Sequence, residues 1–547
     1  MARYARVRLL VLSIAVLAAC RKPAPVVPLP PMSHTAYAYY LDAKLAGHRS
    51  EWDAAVTSLT AAAKAAPDQP MIVVELARAL GKAKREPAAR EALALARQKW
   101  PDHPEVWLVS GELAAPKDAI GAYRRAIELD PDDERGYLGL AKLESPGDAE
   151  TTLRRLVKRI PTSTDGHFRL AKRFVQRGEP ANATPELRAV LERDPDHIDA
   201  RIELARVLRR SGQLALAIEQ TRSAFDRSGQ ALDIAEELFY LLCEADDRTA
   251  AIDLLTLLDD DRSDVEALAA VARLYRGLGL IAPARAIAAR IAIIDAEAGV
   301  LLAAELDTAS DPKSAAEKLL AISLESPRIA EARRLSAEAL LSAGDAKAAE
   351  AALAPARRTH PKDLDLALLA ARARADTGDR EGGKKLVLEL GDGLGAALAR
   401  ARFADHIADV DGALAILEPL IKDHPDSTTA LNLAGYLLAD ANRRLADAET
   451  WLHKARDLSP GDPAVLDSWG WLLLRKGDTR GAVRALDRAS RFAPNEPEIL
   501  VHLAAAWVAD GSPRTAAGLL DRAATLRPSA AVQRRIDAVR ATLPRPR

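Results

Sequence analysis

Two stretches of this chain carry residues whose types and spacing could do chemistry. In KLVLELGDGLGAALA, Gly391, Gly393 and Ala396 match the pattern G-x-G-x-x-A, an apolar run precedes them, and Asp411 follows at about the distance of a ribose-binding acid. That arrangement cradles a pyrophosphate only when a true strand leads into it and a βαβ unit surrounds it. The second candidates are the chain's two thiols, Cys20 and Cys243, each chemically able to act as a nucleophile, a metal ligand or half of a disulfide. Ten histidines complete the inventory, and four of them (His103, His197, His360 and His424) lie beside a proline, in turns. There is no HExxH and no Cys/His cluster of metal-ligand spacing.

The elements that would position these residues do not fit catalysis. Around the glycines the pattern reads as helix, turn, helix: Leu386 to Leu390 end one helix, Leu394 begins the next, and the glycines mark a stop. Cys243 sits within ELFYLLCEADD, on a helix face where a small packing residue is expected. No enzyme, cofactor or metal is expected. The 547 residues are 49% hydrophobic, 4% aromatic and 28% charged, with a net charge of −1, which argues against an electrostatic nucleic-acid binder.

At the N-terminus, MARYARVR carries three arginines and no acid, and LLVLSIAVL follows. An apolar run of that length is about half of the roughly 20 residues a membrane-spanning helix needs, so it reads as the core of an export signal. Leu17-Ala18-Ala19-Cys20 resembles the lipobox of bacterial lipoproteins. The resemblance implies cleavage after residue 19, lipidation of Cys20, and a place on the periplasmic face of the outer membrane, since Arg21 is not the inner-membrane-retaining Asp. Two or more acyl chains make a stable anchor. From Arg21 to Met32 five of twelve residues are proline, a tether extending about 3.1 Å per residue.

The architecture follows from an internal repeat. Ala55, Ala89, Ala119, Ala149, Ala183, Ala217, Ala251, Ala284, Ala315, Ala349, Gly383, Ala413, Ala448, Ala482 and Ala516 recur at spacings of 30 to 35 residues. A proline stands twelve residues after many of them, including Pro67, Pro101, Pro195, Pro361, Pro460 and Pro494, and punctuates helix pairs. In AVLDSWGWLLLRKGDTRGAVRALDRASRFAP, Gly470 and Ala482 are expected where two helices cross, with Trp469, Leu473, Leu486 and Ala489 in the seam. This unit resembles the tetratricopeptide repeat, W-x2-L-G-x2-Y…A-x3-F…P, with Leu466 and Leu486 in place of its first Trp and its Phe. The resemblance implies an all-α solenoid of about fifteen helix pairs. The expected organisation is a signal peptide over 1–19, a lipidated cysteine and tether over 20–33, the solenoid over 34–528, and a capping helix and tail over 529–547. Three gaps of 30 residues, ending near Pro131, Pro161 and Pro425, predict shortened helices or turns. In the cap, Val532, Ile536, Val539 and Leu543 form one stripe, and Gln533, Arg534, Arg535 and Asp537 are expected away from it.

In tetratricopeptide-repeat proteins the first helices of successive repeats line a groove that binds other proteins. With Gly470 counted as position eight, position nine is basic in eight of fifteen repeats: Lys44, Arg78, Lys142, Lys172, Arg206, Arg273, Arg372 and Arg402. Chance would give about two. Acids such as Asp165, Asp199, Glu266 and Asp365 recur seven residues earlier, so the bases form either an internal charge lattice or a strip that faces a partner. Arg206, Arg273, Arg372 and Arg402 are the candidate contacts. Toward the C-terminus position nine turns aromatic, with Tyr436 and Trp471: either a binding hot spot centred on Trp471 is expected there, or Trp471 packs on the neighbouring first helix as extra core. The C-terminal units LNLAGYLLADANRRLADAETWLHKARDLSP and DPAVLDSWGWLLLRKGDTRGAVRALDRA look like those of proteobacterial tetratricopeptide-repeat lipoproteins, among them an adaptor that binds and activates a periplasmic carboxyl-terminal processing protease. The partners implied are proteins, such a protease included, and the membrane through the lipid. A structural part in an exopolysaccharide or pilus export machine is the alternative.

Overall fold

The computed structural model describes residues 32–260, 263–459, 461–526 and 528–544. Cys20, the signal stretch, the tether up to residue 31 and Pro460 lie outside the described residues. Within them every regular element is an α-helix: thirty-one run from His34–His48 to Ala530–Ala541.

The small-residue ladder explains the hairpins. Its fourteen alanines are 0 to 2% exposed and Gly383 is buried with them, so each second helix presents a residue without bulk to its neighbours. First helices reciprocate. A Cβ on Gly435 would lie 2.4 Å from Leu452 Cγ, and one on Gly470 would lie 2.5 Å from Leu486 Cγ. Leu486 is therefore the residue Gly470 accommodates, rather than Ala482 alone. Trp469, expected in that seam, instead turns to the preceding hairpin, with Arg456 over its ring at 4.4 Å and the His453 ring 6.1 Å away. The reason is angular: adjacent residues stand about 100° apart on a helix, so the neighbour of a glycine at the closest crossing faces the next hairpin.

Second helices start where Asp caps them. Asp345, Asp379, Asp409 and Asp478 each accept a hydrogen bond from the backbone N–H three residues on, satisfying one otherwise orphaned donor. The 30-residue spacings arise as expected from shortening. First helices Pro104–Leu113 and Glu134–Leu143 have 10 residues, and second helix Arg380–Leu388 has 9. After that helix, Gly391 and Gly393 adopt φ of +77° and +117°, a backbone that side chains disfavour, and Gly393 caps the helix Leu394–His406. Among the described residues no strand precedes them, so the dinucleotide reading has no scaffold.

The chain divides into two compact units at Gly212/Gln213. In the first, Phe174, Ile72, Leu93, Leu140, Leu153, Leu156, Leu170 and Leu187 are the largest fully buried side chains. In the second, helices Leu232–Glu244 and Thr479–Phe492, far apart in sequence, touch: Arg488 pairs with Glu244, Arg491 pairs with Asp246 at 2.9 Å, and the Tyr240 and Phe492 rings meet edge to face. The single helix Ala530–Ala541 buries Ile536 completely and lays Val532, Val539 and Leu543 against a cluster containing Leu500, Ala504 and Leu520. It caps the array with the stripe read from the sequence. Arg535 departs from that reading, because it turns back onto the first helices.

Candidate functional site

On the first helices of the first unit two of the five position-nine bases, Lys44 and Arg78, are engaged with acids one repeat on. Lys44 Nζ lies 2.8 Å from Glu75, and Arg78 Nη2 lies 2.7 Å from Glu105, which also receives Arg135 at 2.7 Å. Burial alone would raise the Glu105 carboxyl, but hydrogen bonds from Arg135 and Arg78 hold it below the ordinary range. Arg206 is exposed and pairs with Glu203 on its own helix at 3.2 Å. Lys172 lies over the Phe168 ring at 5.7 Å, and Lys142 is exposed.

In the second unit Arg273 pairs with Glu305 of the next first helix at 3.1 Å. Arg372 is half-buried, and its Nε is buried without a hydrogen-bond partner. Arg402, on the adjoining first helix, is exposed. The bases proposed for one strip thus fall into two groups. Arg206 and Arg273 are tied to acids, whereas Arg402 stands open and Arg372 carries an unsatisfied donor.

Tyr436 and Trp471 come together on the first helices of the last three repeats, Thr428–Asp440, Pro463–Arg475 and Pro497–Ala509. Trp471 stacks on His502 with centroids 4.2 Å apart and planes 22° from parallel. Its Nε1 donates to Asp440 Oδ1 at 3.0 Å, and Arg475 covers its ring at 4.6 Å. Tyr436 Oη donates to Glu498 Oε1 at 3.1 Å. Into this group the last helix inserts Arg535: Nη1 lies 2.8 Å from Tyr436 Oη, 3.2 Å from Glu498 Oε1 and 2.9 Å from His502 Nε2, and Nη2 lies 3.0 Å from Asp440 Oδ2. His502 is 0% exposed, and its Nδ1 lies 2.9 Å from Asp467. Because a guanidinium only donates, Nε2 must accept and Nδ1–H donates to Asp467. The indole at position nine is therefore covered by this chain's own residues.

Electrostatically this corner is acidic, not basic. Burial, and then the charge of Glu498, push the Asp405 carboxyl up, with Asp440 adding to the effect. Burial and Glu498 likewise raise the Tyr436 hydroxyl. Burial alone would lower Arg535, but Tyr436 and Asp440 outweigh it and raise it. Sequence reasoning missed Asp405, Asp440, Asp467, Glu498, His502 and Arg535. One signal was readable: in ILVHLAAAW, His502 is the lone polar residue of an apolar helical run, and a buried imidazole needs partners. Arg535 carried none, being one of two successive arginines. Cys243 is buried, and its thiol is pushed up to about 12, which keeps it unreactive.

Tetratricopeptide-repeat family models match residues 40–104, 174–231, 397–463 and 468–531. The TPR repeat-containing protein PA4667 of Pseudomonas aeruginosa is 44% identical over 70 residues, which make up 13% of this chain and 12% of that protein. Among solved structures, a chain of the Naa15/Naa10 complex bound to HypK-THB aligns over 93% of this chain and 100% of its own length, at 14% identity and a TM-score of 0.32. PilW, a type IV pilus biogenesis factor, aligns over 35% of this chain and 93% of its own, at 19% identity and a TM-score of 0.29.

Proposed function

We propose that this chain, a tetratricopeptide-repeat protein, is a non-enzymatic scaffold that binds other proteins along its first helices while held by lipid on Cys20 at the periplasmic face of the outer membrane. The observation that supports a binding role is the chemistry of the first-helix face. Outside the lattice pairs it carries Arg402 exposed, Arg372 with an unsatisfied buried donor, and an aromatic and acidic corner around Tyr436 and Trp471. A face that served packing alone would have no use for such groups. Arg372, Arg402, Tyr436 and Trp471 are assigned to partner contact, whereas Arg206 and Arg273 serve the internal lattice.

The anchor rests on the sequence from Met1 to Met32, where a basic start, a short apolar run, Leu-Ala-Ala-Cys and a proline-rich stretch follow in order. A periplasmic carboxyl-terminal processing protease is the partner that the C-terminal units favour, by their likeness to those of such an adaptor.

Two measurements test this function. Labelled palmitate should enter the wild-type protein and not Cys20→Ser, and Cys20→Ser should fractionate with the soluble periplasm; equal membrane association of both would remove the anchor. Crosslinking on intact membranes should then join the first-helix face to a protein partner. Capture that is unchanged when Arg372, Arg402, Tyr436 and Trp471 are all replaced would remove the face as the binding site.

A further inference from the structure

The last helix does more than a cap requires. Covering the apolar end of the array takes Ile536 and its flanking stripe, and Arg535 stands at the edge of that stripe, where an apolar cap has no need of a guanidinium. Arg535 nevertheless reaches residues 95 and 99 positions earlier and meets four polar side chains on two first helices, with the stacked pair Trp471 and His502 alongside.

The arrangement is that of a ligand in a receptor. Both terminal nitrogens of the guanidinium are used, Nη1 toward Tyr436, Glu498 and His502 and Nη2 toward Asp440, a fork that a single ammonium cannot reproduce. Behind the fork stand Asp467 on His502 and Asp405, whose carboxyl is already pushed up by burial and by Glu498. If Arg535 leaves, four carboxylates remain around this corner with Arg475 as their nearby base, so the vacated site calls for a planar cation.

We infer that the last helix is an internal ligand: the Tyr436, Asp440, Glu498 and His502 site is a guanidinium receptor that Arg535 holds in the isolated chain and that an arginine borne on a helix of a partner protein takes over. This rests on the binding role proposed above and names the chemistry of one partner contact. It makes the last helix a competitor that sets how readily this corner binds.

The experiment uses the full chain made soluble by Cys20→Ser, with and without Arg535→Ala. The probe is a fluorescent peptide spanning residues 528–544, the one arginine-bearing helix whose fit to the site is known. The Arg535→Ala chain should bind the peptide with a Kd at least tenfold lower than the chain that keeps Arg535. The peptide carrying Arg535→Lys should bind that chain at least tenfold more weakly. Equal affinity of the two chains, or of the two peptides, overturns the inference. Should Arg535→Ala cost helicity by circular dichroism, the Arg535→Lys chain, which keeps a charge without the fork, replaces it with the same expectations. If peptide exchange fails while membrane crosslinking still finds a partner on the first-helix face, only the receptor falls. If peptide exchange succeeds and crosslinking finds nothing, the scaffold reading falls instead.

Discussion

The first helices of the first unit and those of the last three repeats use charge in opposite ways. Around Arg78 and Glu105, Glu75 is shared by Lys44 and Arg78 and Glu105 by Arg78 and Arg135, so the charges knit successive helices together. Around Trp471 the carboxylates outnumber the bases on the same face, and the balancing cation comes from a separate element, the helix Ala530–Ala541. A lattice that ties one first helix to the next is structural. A site completed by one removable side chain is suited to exchange.

Three sets of substitutions test that contrast. The largest effect is expected where both regions share the same packing, at the glycines of the closest crossings. Gly435→Val would drive a Cβ into Leu452, from a starting distance of 2.4 Å, and Gly111→Val one into the Tyr123 ring of its own hairpin, from 2.7 Å. Each should cost about 3 kcal/mol, the upper end for an overpacked core, in chemical denaturation. A marked difference between the two would mean that the regions differ in packing as well as in charge.

Next comes Trp471→Ala, which removes the stack on His502 and leaves Asp440 short of a donor. A loss of about 2 kcal/mol is expected, confined to the last repeats and visible as faster amide exchange there, since the indole is half-buried. Unchanged exchange would return Trp471 to the status of a free surface aromatic.

The smallest effect is expected for the lattice. Arg78→Ala and Arg273→Ala should each cost about 0.5 kcal/mol, with the difference shrinking in high salt, because their ion pairs are partly exposed. A cost above about 2 kcal/mol would show a buried network in place of surface pairs.

What the sequence could show follows the same division. The hairpins were legible because a small residue every 30 to 35 positions reports a contact between neighbours in the chain, and the shortened helices at Pro104–Leu113 and Glu134–Leu143 were legible as missing residues in that period. Position nine was legible as a face, and Lys44 and Arg78 do line the first helices. Partners were not. Whether a base meets an acid depends on the register between helices about 30 residues apart, which composition at one position does not carry. The site around Arg535 lay further out of reach, since it joins residues nearly a hundred positions apart and the cap's stripe fixes only its apolar side. His502 alone, polar in an apolar run, pointed toward it.

We propose that binding resides in the aromatic and acidic corner and not in the paired bases. It is tested most directly by the affinity of the 528–544 peptide for the soluble Arg535→Ala chain carrying one further set of changes. With Tyr436→Phe and Trp471→Ala together, the account predicts roughly a thirtyfold loss, the effect of removing a hot spot worth about 2 kcal/mol. With Arg206→Glu and Arg273→Glu, it predicts a Kd within about threefold of the parent, since those charges lie in the lattice. Loss of binding in the charge-reversed chain, with the aromatic variant binding as its parent does, would contradict it.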